Sequence, residues 1–243
     1  MKNYSSENII NFALIGHASS GKTVLSESFA LCANSIKRQG TIQNGNTLSD
    51  YRKQEIDNQH SIAISLINFE FQNKKFNILD TPGYIDFLGD MKAGLGVVEL
   101  ACITINSSTG IEVGAELAWD YSTANNQSKI IIINMCDKDQ SDYDKILSDL
   151  RKRYGRQIFP ITRPLNQGEH FTKVSDVLQK KILEFSNDGH GTFSLVDCDD
   201  SLLDNLNQQY QELIELVAES DEELLNKFFE NGELTEEELR SGL

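Results

Sequence analysis

The stretch Ile9-Ile10-Asn11-Phe12-Ala13-Leu14-Ile15 followed by Gly16-His17-Ala18-Ser19-Ser20-Gly21-Lys22-Thr23 decides how the rest of the chain is read. An apolar run of strand character ends at a glycine, and the next eight residues fit G-x-x-x-x-G-K-[ST] just before a stretch of helical periodicity, Lys22 to Ala33. Glycines let the backbone curl so that successive N–H groups and the helix N-terminus face an anion, which makes this a phosphate-binding loop. In such a loop Lys22 reaches the outer phosphates of a nucleotide and the Thr23 hydroxyl ligates Mg2+. Gly16, His17, Ala18, Ser19, Ser20 and Gly21 then form the cradle.

Working outward, three more short apolar runs end at polar residues: Phe76 to Leu79 at Asp80, Ala101 to Ile105 at Asn106, and Lys129 to Ile133 at Asn134. Helical stretches at 114–124 and 142–153 separate them, and such alternation predicts an α/β fold with a mostly parallel sheet flanked by helices. Ligand sites in open α/β sheets lie at the carboxyl ends of strands, so these endings are where chemistry is sought. A fifth run, Ser61 to Leu66, alternates with period two and reads as a strand with one exposed face. Between the first helix and this run, residues 34–60 are polar and aperiodic, which predicts a long loop with room for a short helix. Loops of that length are uncommon unless functional.

Two of the strand endings carry chemistry. Asp80-Thr81-Pro82-Gly83 puts a carboxylate at the sheet edge, where Asp80 holds Mg2+ through water and the Gly83 N–H meets the terminal phosphate. Asn134-Met135-Cys136-Asp137 puts a carboxylate where it accepts two hydrogen bonds from guanine, a donor pair adenine lacks. An Asn/Asp turn closing a buried strand explains the latter stretch equally well in isolation.

Composition narrows the class. The 243 residues are 39% hydrophobic and 24% charged with a net charge of −15. That argues for a packed soluble chain and against a nucleic-acid groove or sequence-specific DNA binding. No run approaches the roughly 18 apolar residues of a membrane helix. The N-terminal MKNYSSEN lacks the charged-then-apolar pattern of a secretory signal, so a cytoplasmic location is expected. Cys32, Cys102, Cys136 and Cys198 are scattered without metal-ligand or disulfide-scaffold spacing and read as reduced thiols. From residue 197 onward there are 15 acidic and two basic residues, so −13 of the −15 lies in the last 47 positions. There an apolar stripe of Leu202, Leu206, Tyr210, Leu213, Ile214 and Val217, continued by Leu224, Leu225, Phe228 and Phe229, predicts packed amphipathic helices. Thr235 followed by three glutamates predicts a capped helix start. The tail follows a short β-like Gln157 to Thr162 and polar turns.

In this order the three motifs resemble the GTP-binding domain of translation elongation factor G, and most of all its elongation factor G-like paralogues. The likeness extends to Thr47-Leu48-Ser49-Asp50-Tyr51, Asp80 to Phe87 (DTPGYIDF), Gly168-Glu169-His170-Phe171 and Glu233 to Leu239, hence to essentially the whole chain. It implies a P-loop GTPase fold with a core at residues 1–156 and a helical to mixed acidic insertion at 157–243. It implies GTP and GDP with Mg2+ as cofactors, Thr23 and Asp80 as metal ligands, and a monomer acting at the ribosome, whose stalk protein the insertion contacts. The loops at 40–63 and 80–95 are then the segments that change with nucleotide state. In the family a last core strand and a guanine-contacting loop follow, so this chain is expected to be a fragment.

The departures shape the expected activity. Tyr84 stands where the main factor has a catalytic His; its hydroxyl can orient water but is a poor base, its reference pKa being about 10. In the register adopted, Ala63 replaces a Mg2+-binding Thr, with Ser61 as the alternative. Met135 replaces a Lys that covers the base, and Ser19 replaces an Asp. Tyr84, Lys22 and Gly83 are the catalytic candidates. The expectation is a GTPase with slow hydrolysis. The alternatives are a ribosome-associated GTP-binding module with weak or no turnover and an ATP-using P-loop enzyme. His17 reads as a packing residue, His170 and His190 as solvated, and Trp119 as core or as packed on a neighbouring domain.

Overall fold

A computed structural model of the chain describes residues 2–186 and 191–243. It divides into two compact units, residues up to Ile146 and Leu147–Leu243.

The first unit is an α/β sheet of five strands. Strands β1 (Ile9–Ile15), β2 (Ser65–Phe71), β3 (Lys74–Asp80), β4 (Leu100–Asn106) and β5 (Ser128–Asn134) stand in the order β2-β3-β1-β4-β5. All neighbours are parallel except β2 and β3. Helices α1 (Lys22–Cys32), α3 (Leu88–Leu95) and α4 (Val113–Ala124) make the crossovers, and a short α2 (Lys53–Asn58) interrupts the long loop. The four runs read as strands from sequence are strands here, within two residues at each end. The central ones are apolar on both faces, as crossovers require: Ala13, Leu14 and Ile15 are fully buried. Phe12, Leu14, Ile67, Phe69, Ile78 and Cys102 form one core cluster. Phe29 of α1 meets Phe12 edge-on at 5.9 Å and stacks on Phe69 at 6.4 Å, fixing the helix against the sheet.

The fifth strand starts later than its alternation suggested, at Ser65 rather than Ser61. The reason is a competing acceptor: the N–H groups of Ile62 and Ala63 donate to Glu55 Oε1 at 3.1 and 3.3 Å, not to a neighbouring strand. From Ser65 the alternation is clean, with Ser65, Ile67 and Phe69 buried and Leu66 exposed. The β2–β3 hairpin closes through Gln72 and Asn73, both at positive φ (47° and 62°), the conformation that a two-residue hairpin turn demands.

Tyr143–Tyr154 forms α5, which runs across the boundary between the units. The second unit contains a four-stranded antiparallel sheet in the order β6 (Thr162–Pro164), β7 (Lys173–Asp176), β8 (Lys181–Phe185), β9 (Phe193–Val196). The sequence reading had a β-like segment ending at Thr162 and then turns; the strand starts there, and three more follow. Helices α6 (Asp200–Ala218), α7 (Glu222–Asn231) and α8 (Glu236–Gly242) come next. The stripe buries Leu206, Leu213, Ile214, Val217 and Leu224 with Leu234 and Leu239. Phe229, expected in the stripe, is instead 75% exposed, because Phe228 takes the inward position beside it. Asp199, Asp221 and Thr235 cap the three helices with their side chains, each cap worth about 1 kcal/mol. Thr235 and Glu238 form the expected reciprocal capping box. Among the described residues no helix is long and apolar enough to cross a membrane, and the four cysteines form no disulfide.

Candidate functional site

The loop after β1 emerges between β3 and β4 and turns directly into α1. Gly16 (φ +142°) has no room for a side chain: a Cβ would lie 2.3 Å from the Thr104 carbonyl oxygen. At Gly21 (φ +88°) a Cβ would lie 2.4 Å from Asn134 Nδ2. Asn134 Nδ2 donates to the Ser20 carbonyl at 3.0 Å, so the end of β5 is tied to the loop. Gly21 caps α1 without a side chain, leaving the first N–H groups of the helix open to an anion. Lys22 is buried, and its Nζ donates to the carbonyls of Gly16 and His17 at 3.1 and 2.7 Å. Burial pulls its pKa down to about 8, against the upward pull of Asp80 and Glu112.

Asp80, at the end of β3, reaches the same place. Its Oδ2 accepts from Thr23 Oγ1 at 2.8 Å, while its buried Oδ1 has no protein partner. Burial raises its pKa to about 6 in spite of hydrogen bonds from Ser49 and Thr23 and the charge of Lys22. Beyond Asp80, Thr81 is pinned by its N–H and hydroxyl to the Leu14 carbonyl at 3.2 and 2.8 Å. Gly83 then lies flat on the phosphate-binding loop, where a Cβ would meet Ala18 N and Lys22 Nζ, each at 2.6 Å. Tyr84 follows, 44% exposed.

The long loop brings a second carboxylate. Ser61 Oγ lies 3.4 Å from Thr23 Oγ1 and donates to Asp50 Oδ1 at 2.7 Å. Asp50 Oδ2 is buried without a partner, and burial raises the pKa of this carboxyl. The hydroxyl beside Thr23 is thus that of Ser61, whereas Ala63 is occupied with Glu55. Thr23, Ser61, Asp50 and Asp80 form a set of hard oxygen donors with two orphaned carboxylate oxygens, the donor chemistry Mg2+ prefers.

Glu27 and Glu55 escaped the sequence reading, and Asp50 entered it only within the Thr47 to Tyr51 likeness, without a role at the site. Glu27, one turn beyond Thr23 on α1, is buried; its Oε2 accepts the Gly40 N–H at 2.7 Å and its Oε1 the Leu48 N–H. Glu55 is equally buried and gathers the N–H groups of Arg52, Ile62 and Ala63. Two carboxylates therefore hold the long loop by its backbone. The available signal was a glutamate on the same helical face as Thr23, Ser26 and Ala30, all buried.

The remaining candidates lie as follows. Asn134 and Met135 adjoin Gly21, Met135 at φ +62° with its carbonyl held by Ser107 Oγ at 2.7 Å. Asp137 stands at the surface beyond them, its nearest cation Lys138 at 3.8 Å. Ser19 adopts φ +62°, two residues before the Gly21 N-cap of α1. His17 faces Glu112 at 3.6 Å and its Nδ1 is buried without a partner, packed against Gly114. Trp119 is half-buried under Lys129, whose Nζ lies 5.2 Å from the ring centre. His170 is exposed; His190 lies outside the described residues.

Comparison with known proteins agrees with this geometry. Residues 7–238 match the family described as elongation factor Tu GTP binding domain. The chain also superposes on the crystal structure of a protein from Thermus thermophilus with a TM-score of 0.88 and 29% sequence identity. The match covers 96% of this chain and 35% of the Thermus chain, so the present sequence spans about a third of that protein's length.

Proposed function

Because the chain belongs to the elongation factor Tu GTP binding domain family, matched over residues 7–238, we propose that it binds and hydrolyses GTP as the nucleotide-dependent switch of an elongation factor G-like protein. The observation that carries this is the meeting of Thr23, Asp80, Ser61 and Asp50 at the start of α1, beside Lys22, with one oxygen of each carboxylate unpartnered. Buried carboxylates lacking partners are costly unless a cation completes them.

In this reading the cradle of Gly16, His17, Ala18, Ser19, Ser20 and Gly21 with the α1 N-terminus binds the phosphates. Lys22 leaves its two carbonyl acceptors to neutralise phosphate charge. Mg2+ would be held by Thr23 and Asp80, with Ser61 and Asp50 beside them, and when bound it supplies charge neutralisation on the phosphate oxygens. The Gly83 N–H senses the terminal phosphate, Tyr84 orients the attacking water, and Asn134 and Asp137 select guanine. The core at residues 1–156 serves the nucleotide, and the acidic part at 157–243 faces the ribosome and its stalk protein, in the cytoplasm.

A second reading, a ribosome-associated GTP-binding module with weak or no hydrolysis, is favoured by Tyr84 itself, which is exposed and carries no base. Titration calorimetry with GDP, GTP and ADP, with and without Mg2+, tests the first step: guanine nucleotides bind in a Mg2+-dependent manner and ADP does not. Phosphate release with and without ribosomes separates the two readings. Ribosome-stimulated turnover sinks the second, and binding without turnover sinks the first.

A further inference from the structure

Tyr84 touches the long loop through one ring: its centroid lies 4.8 Å from that of His60, with the planes inclined at 60°. The two rings belong to segments that are anchored in different ways. The backbone leading to Tyr84 is fixed as far as Gly83, by Thr81 on Leu14 and by Gly83 on Ala18, but the Tyr84 side chain stands 44% exposed. His60 is held from both sides. Its N–H donates to the Glu55 carbonyl at 3.2 Å, and Gln59 before it turns the chain through φ +56° at the end of α2. Ser61 after it is tied to Asp50, and His60 Nδ1 sits 3.3 Å from the Ser61 carbonyl, which suits an Nδ1–H tautomer. Thus His60 is the fixed ring of the pair and Tyr84 the one with freedom left to lose.

We propose that His60 is the positioning residue for Tyr84: a ring on the long loop that sets the phenol over the phosphate-binding loop whenever the two segments are closed on each other. The inference rests on the reading of Tyr84 as the water-orienting group. It makes hydrolysis conditional on the long loop by a side-chain contact. Losing a well-placed ring contact of this kind is expected to slow the chemical step roughly three- to tenfold.

The test uses the 243-residue chain and its variants His60→Ala, His60→Phe, Tyr84→Ala and the double alanine variant. Single-turnover GTP hydrolysis and nucleotide Kd are measured for each. The expected result is a lower rate for His60→Ala at unchanged GTP Kd, recovery of most of the rate in His60→Phe, and a double variant no slower than Tyr84→Ala alone. An unchanged rate in His60→Ala, a loss carried wholly by Kd, additive losses in the double variant, or no rescue by Phe overturns the proposal. If the parent chain binds GTP but shows no turnover, the hydrolytic reading fails by itself. The ring latch is then decided by amide exchange at residues 83–87 of the nucleotide-free chain. Faster exchange in His60→Ala, with the parent rate in His60→Phe, supports it, and unchanged exchange overturns it.

Discussion

Replacing Asp80 by Asn is predicted to make the nucleotide-free protein more stable and the nucleotide-bound protein less so. The Asp80 carboxyl is 1% exposed, and burial raises its pKa from 3.8 to about 6. Below the lower of these values both folded and unfolded chains hold the proton, so the group contributes nothing. Between them the folded state keeps a proton that the unfolded state releases, and stability falls as pH rises. Above the upper value the cost is complete, about 3 kcal/mol from two pKa units at about 1.4 kcal/mol each. The attraction to Lys22 is already contained in that shift, and an Asn side chain keeps an oxygen to accept the Thr23 hydroxyl but buries a new amide donor at some cost. The net gain at pH 7 is therefore set at about 1 to 3 kcal/mol. Urea unfolding of both proteins without nucleotide or Mg2+, repeated from pH 7 down to pH 4, reads it directly. Asp80→Asn should unfold at the higher urea concentration at pH 7, and the gap should close toward pH 4. With GTP and Mg2+ the order should reverse, because only the parent gains from the ligand. A less stable Asp80→Asn in the ligand-free series, or a gap indifferent to pH, would refute the reasoning.

Three further outcomes follow from the same structure. Glu27→Ala removes the acceptor of the Gly40 and Leu48 N–H groups and should cost about 2 to 4 kcal/mol in urea unfolding, with new protease cleavage within residues 34–64. Unchanged cleavage would mean that Glu27 does not hold the loop. Asp137→Asn should shift calorimetric preference from guanine toward xanthine nucleotides without altering the unfolding free energy in urea by more than about 0.5 kcal/mol, since the side chain is exposed. Burial pushes the Cys102 thiol up to about 12, so iodoacetamide at pH 8 should leave it unlabelled in the folded protein and label it in urea, while exposed Cys32 reacts in both.

How much of this was legible in sequence depends on how local each signal is. β1, β4 and β5 were found almost to the residue because they are apolar on both faces and end at a polar side chain or a glycine. The turn from β1 into α1 at Gly16 to Thr23 was legible because its glycines, Lys22 and Thr23 are contiguous. The alternation of Ser61 to Leu66 misled because Glu55, not a neighbouring strand, takes the N–H groups of Ile62 and Ala63. The β6–β9 sheet left no apolar run: its strands are three to five residues long, and ion pairs such as Lys173 with Glu184 at 3.1 Å lie across them. Asp50 and Glu27 join the site over separations of 11 and 13 residues, through one hydroxyl and one backbone contact. An aspartate in a polar loop and a glutamate on a helix look the same in sequence whether or not they reach such a site.

The hairpin turn at Gln72 and Asn73 gives the site a remote handle. The two strands that meet there have their other ends at Ser65 and Asp80, paired across the ladder, so one ribbon carries both the exit of the long loop and the start of D-T-P-G. Seven residues at about 3.3 Å each put the turn roughly 23 Å from that end. A dye attached at Asn73, or a short tag inserted after it, would ride on the ribbon without touching nucleotide, and its signal would record any tilt that both segments undergo together.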